Sequence, residues 1–162
     1  MTDTVQRDTE ITAVEDLPVI RMVRDFDASP EQLLLAHTDP ELFVRWIGPD
    51  SITTTLDSWD CRTGGSWAYT SRRDDLTISF FGSFHEIRPD RLVQTFTWDG
   101  NADQVSLETM TFQTIGDGRT RLEATSLHGS FAARDGMLSS GMDVGVNEGY
   151  RKLDALLAGG SR

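Results

Sequence analysis

A chain of 162 residues is long enough for one domain with a single core, burying about 70% of its unfolded surface, and too short for two full domains. With 38% hydrophobic and 25% charged residues, it has the make-up of a globular protein rather than a disordered or fibrous one. Fifteen Lys+Arg against 26 Asp+Glu give a net charge of -11; with no basic stripe to displace counterions, neither nucleic acid nor an anionic membrane is an expected partner.

Residues 1–16 carry Asp3, Asp8, Glu10, Glu15 and Asp16 against Arg7 and lack the basic start and apolar run of a secretory signal. They are expected to form a tail or a short strand added to a sheet edge, ahead of a single domain over 17–158 and a tail at 159–162. Cys61 stands alone and cannot make an intramolecular disulfide, so the cytoplasm is the expected compartment.

The stretch Leu17 to Asp27 alternates loosely and is rich in β-branched residues, which predicts the first strand. Ser29 before Pro30 has the chemistry of a helix N-cap, and Asp39-Pro40-Glu41 repeats the signal, so two short helices follow until Gly48-Pro49. Turn residues at short spacing then divide the chain into strands at Ile52–Cys61, Ser66–Arg72, Thr77–Arg88, Leu92–Asp99, Val105–Ile115 and Thr120–His128, the pattern of an antiparallel meander. Helix returns near Phe131, is expected to break around Asp135-Gly136, and runs on to Leu157.

Loop lengths predict register. A Gly116-Asp117-Gly118 loop puts Phe112 opposite Leu122, Met110 opposite Ala124 and Glu108 opposite Ser126, so that either a polar patch closes one end of the interior or a bulge near Glu108 flips the face. The loop Arg88-Pro89-Asp90-Arg91 pairs His85 with Gln94 and Phe81 with Trp98, leaving Phe80 and Phe84 on the outer side unless Gly82 marks a bulge.

Four segments, Arg62-Thr-Gly-Gly-Ser-Trp67, Gly82-Ser-Phe-His-Glu-Ile-Arg-Pro-Asp-Arg-Leu-Val93, Gly118-Arg-Thr-Arg-Leu122 and Gly149-Tyr-Arg-Lys-Leu-Asp-Ala-Leu156, occur in this order. The chain from Leu17 to Leu157 thereby resembles the START-like (SRPBCC), birch-pollen-allergen-like superfamily, and within it the family similar to the C-terminal domain of the activator of a heat-shock chaperone's ATPase. The resemblance implies an α+β helix-grip fold: a seven-stranded antiparallel sheet curved around a long C-terminal helix, with two short helices after the first strand. It also implies a cavity for an apolar or amphipathic ligand, and it makes a chaperone partner conceivable. Where the family has Gly-Trp in the last helix this chain has Gly149-Tyr150, and the histidine usual near the end of the last strand is matched by Ser126, with His128 two positions on.

Trp46, Trp59, Trp67, Tyr69, Phe81, Phe96, Trp98, Met110 and Phe112 supply enough aromatic and soft apolar surface to line a pocket, or simply to fill a core. Gly141, Gly145 and Gly149 stack on one side of the last helix. They mark either close packing or a break, or else room for a bound molecule beside Met142. His37, His85 and His128 fall on separate elements without metal-ligand spacing, and no nucleotide fingerprint occurs, so neither metal nor cofactor is expected. Asp60 beside Cys61 works against a reactive thiolate. The best catalytic candidates are Glu108, Ser126 and His128, in which a carboxylate would orient an imidazole at one end of an apolar cavity. The leading expectation is non-catalytic binding of a small hydrophobic or amphipathic ligand; a cyclase- or hydrolase-type enzyme and a chaperone-stimulating module are the alternatives.

Overall fold

Two capping residues, Ser29 and Asp39, decide how the chain leaves its first long strand. The computed structural model describes residues 8–159; residues 1–7 and 160–162 of the expected tails lie outside the described residues. Strand β1 (Glu10–Ala13) leads into β2 (Val19–Phe26). The Ser29 hydroxyl then accepts from the Gln32 backbone N–H at 3.2 Å while the Gln32 side chain accepts from the Ser29 N–H at 2.9 Å. This reciprocal cap, followed by Pro30, starts α1 (Pro30–Thr38). Asp39 closes α1 by donating its N–H to Leu35 and opens α2 (Pro40–Trp46) by accepting from Glu41 and Leu42.

The meander follows as β3 (Thr53–Trp59), β4 (Ser66–Arg73), β5 (Leu76–Arg88), β6 (Arg91–Trp98), β7 (Val105–Gly116) and β8 (Arg119–Leu127), and the chain ends in α3 (Phe131–Leu138) and α4 (Met142–Ala158). All pairings are antiparallel, in the order β1-β2-β8-β7-β6-β5-β4-β3. Because β2 lies near one edge and β3 forms the other, α1 and α2 must cross the sheet. They do so on the face that carries α4, where Trp46 of α2 stacks on Tyr150 of α4 with ring centroids 5.9 Å apart.

The arrangement is that of a helix-grip protein, with two corrections to the expected sheet. It has eight strands, not seven, because Glu10–Ala13 pairs along β2, Glu10 opposite Val23 and Ala13 opposite Ile20. The sheet is also open rather than curved around the helix: β1 and β3 are its two edges, and α4 packs against one face. The expected helix break moves as well. Helix α3 runs through Asp135 and Gly136, and the chain turns at Ser139–Gly141, where Gly141 takes a left-handed φ of 88°.

Register explains which side chains reach the inner face. Between β7 and β8 it is the expected one, with Phe112 opposite Leu122, Met110 opposite Ala124 and Glu108 opposite Ser126. The turn itself is tighter, with Asp117 and Gly118 both left-handed and Ile115 bulged out of the ladder. Between β5 and β6 the expected pairing holds only near the loop, at Ile87 opposite Leu92. A bulge at His85 then slips the register by one residue, so Phe84 faces Gln94, Phe80 faces Trp98 and Phe81 faces Thr97. Since a one-residue slip inverts every side chain, Phe80 and Phe84 turn inward and Phe81 outward. A third bulge interrupts edge strand β3 at Asp57, between Leu56 and Ser58.

One end of the inner face is solid. Phe26, Leu33, Phe84, Leu122 and Leu153 are fully buried there. The buried residues of α4 are Gly149, Tyr150, Leu153 and Leu156, from its middle onward. Ahead of Gly149 the helix contributes only partly buried residues, with Val146 packed against the margin of the core.

Candidate ligand-binding site

Where the first half of α4 passes over the sheet, a cavity of about 820 Å³ opens between them, bounded by α2, the loop after it and the strands β2 and β4 to β8. Ordinary ligand pockets fall in this size range. Its floor is made of cross-strand rows. Met22, Ala124, Met110 and Leu92 form one, and Ile20, Ser126, Glu108 and Gln94 the next.

The walls are aromatic. Trp67 stacks on Tyr69 at 5.4 Å, Tyr69 meets Phe80 at 5.3 Å, and Phe80 meets Phe96 at 5.0 Å. Gly82 makes this stack possible, because a Cβ there would lie 2.8 Å from the Trp67 ring. Trp98, 47% exposed and lying over Gly100, stands at the mouth with Leu76 and Val144. Of the sequence-derived candidates, Trp46, Trp67, Tyr69, Phe96, Trp98, Met110, Met142, Gly145 and Gly149 all line the cavity, as do Glu108 and Ser126. Phe81 does not; the slip at His85 leaves it 43% exposed on the other face. Phe112 is instead a core residue, 3% exposed and packed edge-on to His37 at 5.5 Å.

The glycines of α4 have separate roles. Gly141 caps the helix. A Cβ on Gly149 would lie 3.0 Å from the Trp46 carbonyl oxygen, so this glycine permits the close approach of α4 to the end of α2. A Cβ on Gly145 would meet only Pro49, at an ordinary 3.5 Å.

The polar candidates divide into two pairs. Glu108 Oε1 accepts from Gln94 Nε2 at 2.8 Å, and Ser126 Oγ lies 3.0 Å from His128 Nε2. The carboxylate therefore does not orient the imidazole, and His128 lies outside the cavity lining. Burial holds the Glu108 carboxyl above the usual carboxylate range, against the opposing pull of its Gln94 bond. Burial lowers the His128 pKa, and the Arg134 charge adds to that.

Sequence reasoning missed His37, Phe43, Phe80 and Tyr150 as lining residues. His37 is buried, and its Nδ1–H donates to the Leu33 carbonyl at 2.7 Å, so its Nε2 carries the lone pair. Burial pushes this imidazole down to about 4. Among the described residues, no group of three His, Cys, Asp or Glu side chains could hold a metal ion. The Cys61 thiol is raised to about 11 by partial burial and by Asp60.

The family model described as Activator of Hsp90 ATPase homolog 1-like protein matches residues 27–158. The chain belongs to this family. Solved structures with this fold include one from Rhodobacter sphaeroides, with 25% identity, coverage of 94% of this chain and 99% of that one, and a TM-score of 0.85. Protein Ms6760 from Mycobacterium smegmatis is 23% identical over 92% of this chain and 96% of its own, with a TM-score of 0.82. The AHSA1 protein from Silicibacter pomeroyi is 22% identical over 86% and 97%, with a TM-score of 0.69. Comparison with curated proteins finds no match. Membership of the Activator of Hsp90 ATPase homolog 1-like family supports, in general terms, a role in binding a ligand or a partner. No helix among the described residues is long and apolar enough to cross a membrane.

Proposed function

We propose that this protein binds a small hydrophobic or amphipathic molecule between its sheet and the first half of α4, without transforming it. The observation that carries this reading is the aromatic cavity of about 820 Å³ beneath the first half of α4, where no residue before Gly149 is fully buried. Trp46, Trp67, Tyr69, Phe96, Trp98, Met110, Met142, Gly145 and Gly149 are the proposed contacts. Binding without catalysis is favoured over a cyclase or hydrolase because Glu108 and His128 are engaged by different partners. A single cysteine suits a reducing compartment, and the cytoplasm is the proposed location.

Native mass spectrometry of freshly purified protein tests the reading, with an Ala124→Phe variant as control. Ala124 lies on the cavity floor between Met22 and Met110. A co-purified molecule present in the wild type and lost in a folded A124F protein is the expected result; equal retention in both overturns the reading.

A second reading is supported by the exposed cross-strand pair Leu107 and Leu127 on the sheet face away from α4 and by the family's description. Here the protein acts on a chaperone partner. Stimulation of a chaperone ATPase that is lost in a Leu107→Ser, Leu127→Ser double variant would favour it.

A further inference from the structure

The cavity floor carries a single acid. Glu108 projects from the inner face of β7, opposite Gln94 of β6 and Ser126 of β8, and lines the cavity together with them. Its Oε1 accepts from Gln94 Nε2 at 2.8 Å, whereas Oε2 makes no hydrogen bond among the described residues and is not sealed off by its neighbours. One oxygen of the carboxyl is therefore open to the cavity. The amide of Gln94 is neutral, and desolvation holds the carboxyl above the usual carboxylate range in spite of that bond. What this acid lacks is a counter-charge.

The chain's own cations are committed elsewhere. Arg73, the lining's arginine, is exposed and donates to Ser51. Arg24 gives both its terminal nitrogens to Asp154. His37 uses its N–H on Leu33 and presents a lone pair, not a charge. Glu148, the other acid of the lining, comes from α4 and accepts from the Asp50 backbone N–H at 3.0 Å. A carboxylate or phosphate group set beside Glu108 would meet another acid and no cation, a costly position.

An aromatic ring stands beside the open oxygen's residue. Side chains alternate along β6, so Gln94, Phe96 and Trp98 share the inner face, and all three line the cavity. Phe96 pairs with Ser106, two residues before Glu108, which makes it the diagonal neighbour of the acid, with Cβ atoms about 7–8 Å apart. A cation bonded to the carboxylate comes within range of the Phe96 ring, which itself packs on Phe80 at 5.0 Å. From Gln94 to Trp98 the strand then spans about 13 Å, room for an apolar body running to the mouth.

We propose that the ligand is a hydrophobic amine, bound as its ammonium ion, with the nitrogen donating to Glu108 Oε2 beside Phe96 and the apolar body lying along β6 toward Trp98. This rests on the cavity reading above and adds the ligand's charge and its orientation, charged end inward. The ammonium supplies the counter-charge that the fold withholds. The net charge of -11 also favours the approach of a cation over that of an anion.

Three probes of one shape test it: 2-naphthylmethylammonium, 2-ethylnaphthalene and 2-naphthoate. They are titrated calorimetrically at neutral pH and physiological ionic strength, where attraction to the acidic surface is screened. The amine is expected to bind about tenfold more tightly than the hydrocarbon, and the carboxylate more weakly than either. In a Glu108→Gln protein the amine-to-hydrocarbon ratio should fall to about one. The same ratio is read on the wild type, with the hydrocarbon expected to displace the amine, so the test survives a variant that fails to fold. Equal affinity for amine and hydrocarbon, tightest binding of naphthoate, or a ratio preserved in E108Q overturns the proposal while leaving the cavity reading in place. Binding of none of the three overturns both.

Discussion

Arg24 on β2 reaches across the protein interior and donates to both carboxylate oxygens of Asp154 on α4, at 2.9 and 2.7 Å. The guanidinium is 4% exposed and also lies over the Phe26 ring at 4.7 Å. It fixes the buried half of α4 to the sheet. Removing one partner strands the other, so Asp154→Ala should cost about 2–4 kcal/mol, somewhat less than a fully buried pair because Asp154 is partly exposed. Replacing both, Arg24→Met with Asp154→Leu, should recover most of that loss in urea denaturation. A double variant as unstable as D154A would show that the pair itself, not the stranded charge, is what matters.

Stability should respond to pH through two desolvated groups of opposite sign, buried His37 and half-buried Glu108. His37 is held at about 4 in the fold against an ordinary 6.5 for histidine; the unfolded chain binds its proton first, so stability is present above 6.5 and lost as pH falls toward 4. Glu108 is raised by burial; the folded chain keeps its proton longer, so stability is lost as pH rises from the ordinary carboxylate range through the raised pKa. Glu108→Gln should flatten the alkaline side, and His37→Leu the acid side, in melting curves taken from pH 4 to pH 9. A wild-type-like slope in either variant assigns that limb to other groups.

Alanine should sort the two glycines of α4 that face α2 and its loop. Gly145→Ala meets Pro49 only at ordinary contact distance and should stabilise the helix by about 0.5–1 kcal/mol. Gly149→Ala drives a methyl to 3.0 Å from the Trp46 carbonyl oxygen and should destabilise by about 1–3 kcal/mol, with α4 forced away from α2. Thermal denaturation of the two variants reads the difference in sign directly.

Phe80 and Phe81 should behave as opposites although adjacent. Phe80 packs between Tyr69 and Phe96 in the cavity wall, so Phe80→Ser should weaken ligand binding. Phe81→Ser, on the outer face, should leave binding unchanged when retention of a co-purified molecule is compared by native mass spectrometry. Equal losses would put Phe81 on the ligand side.

That pair also marks where the sequence was readable. Capping chemistry at Ser29 and Asp39 located both short helices, and the alternation around Met110 and Phe112 fixed the β7–β8 register. That register left Glu108 either on the inner face or turned away by a nearby bulge, and the unbroken ladder from Leu107 to Thr114 decides for the inner face. The β5–β6 hairpin misled because its loop sets the register only at the loop. A single bulged residue, His85, inverts everything beyond it, and an exposed histidine between Phe84 and Glu86 gives no compositional sign of a bulge. Strand β1 was hard to read because Glu10–Ala13 is short and mostly exposed, and takes its regularity from β2. His37 looked like one more polar residue on a short helix, since its burial depends on Trp46 and Phe112, which are distant in sequence.

An open sheet leaves two edges able to recruit strands from another molecule, and this chain protects both. The β1 edge offers only four residues. The longer β3 edge is interrupted at Asp57, whose carboxylate accepts from Thr70 at 2.6 Å and whose bulge breaks the run of evenly spaced backbone groups. The acid in the middle of an otherwise β-prone Thr53–Trp59 segment thus guards against self-association, keeping the free edge of the sheet from templating aggregation.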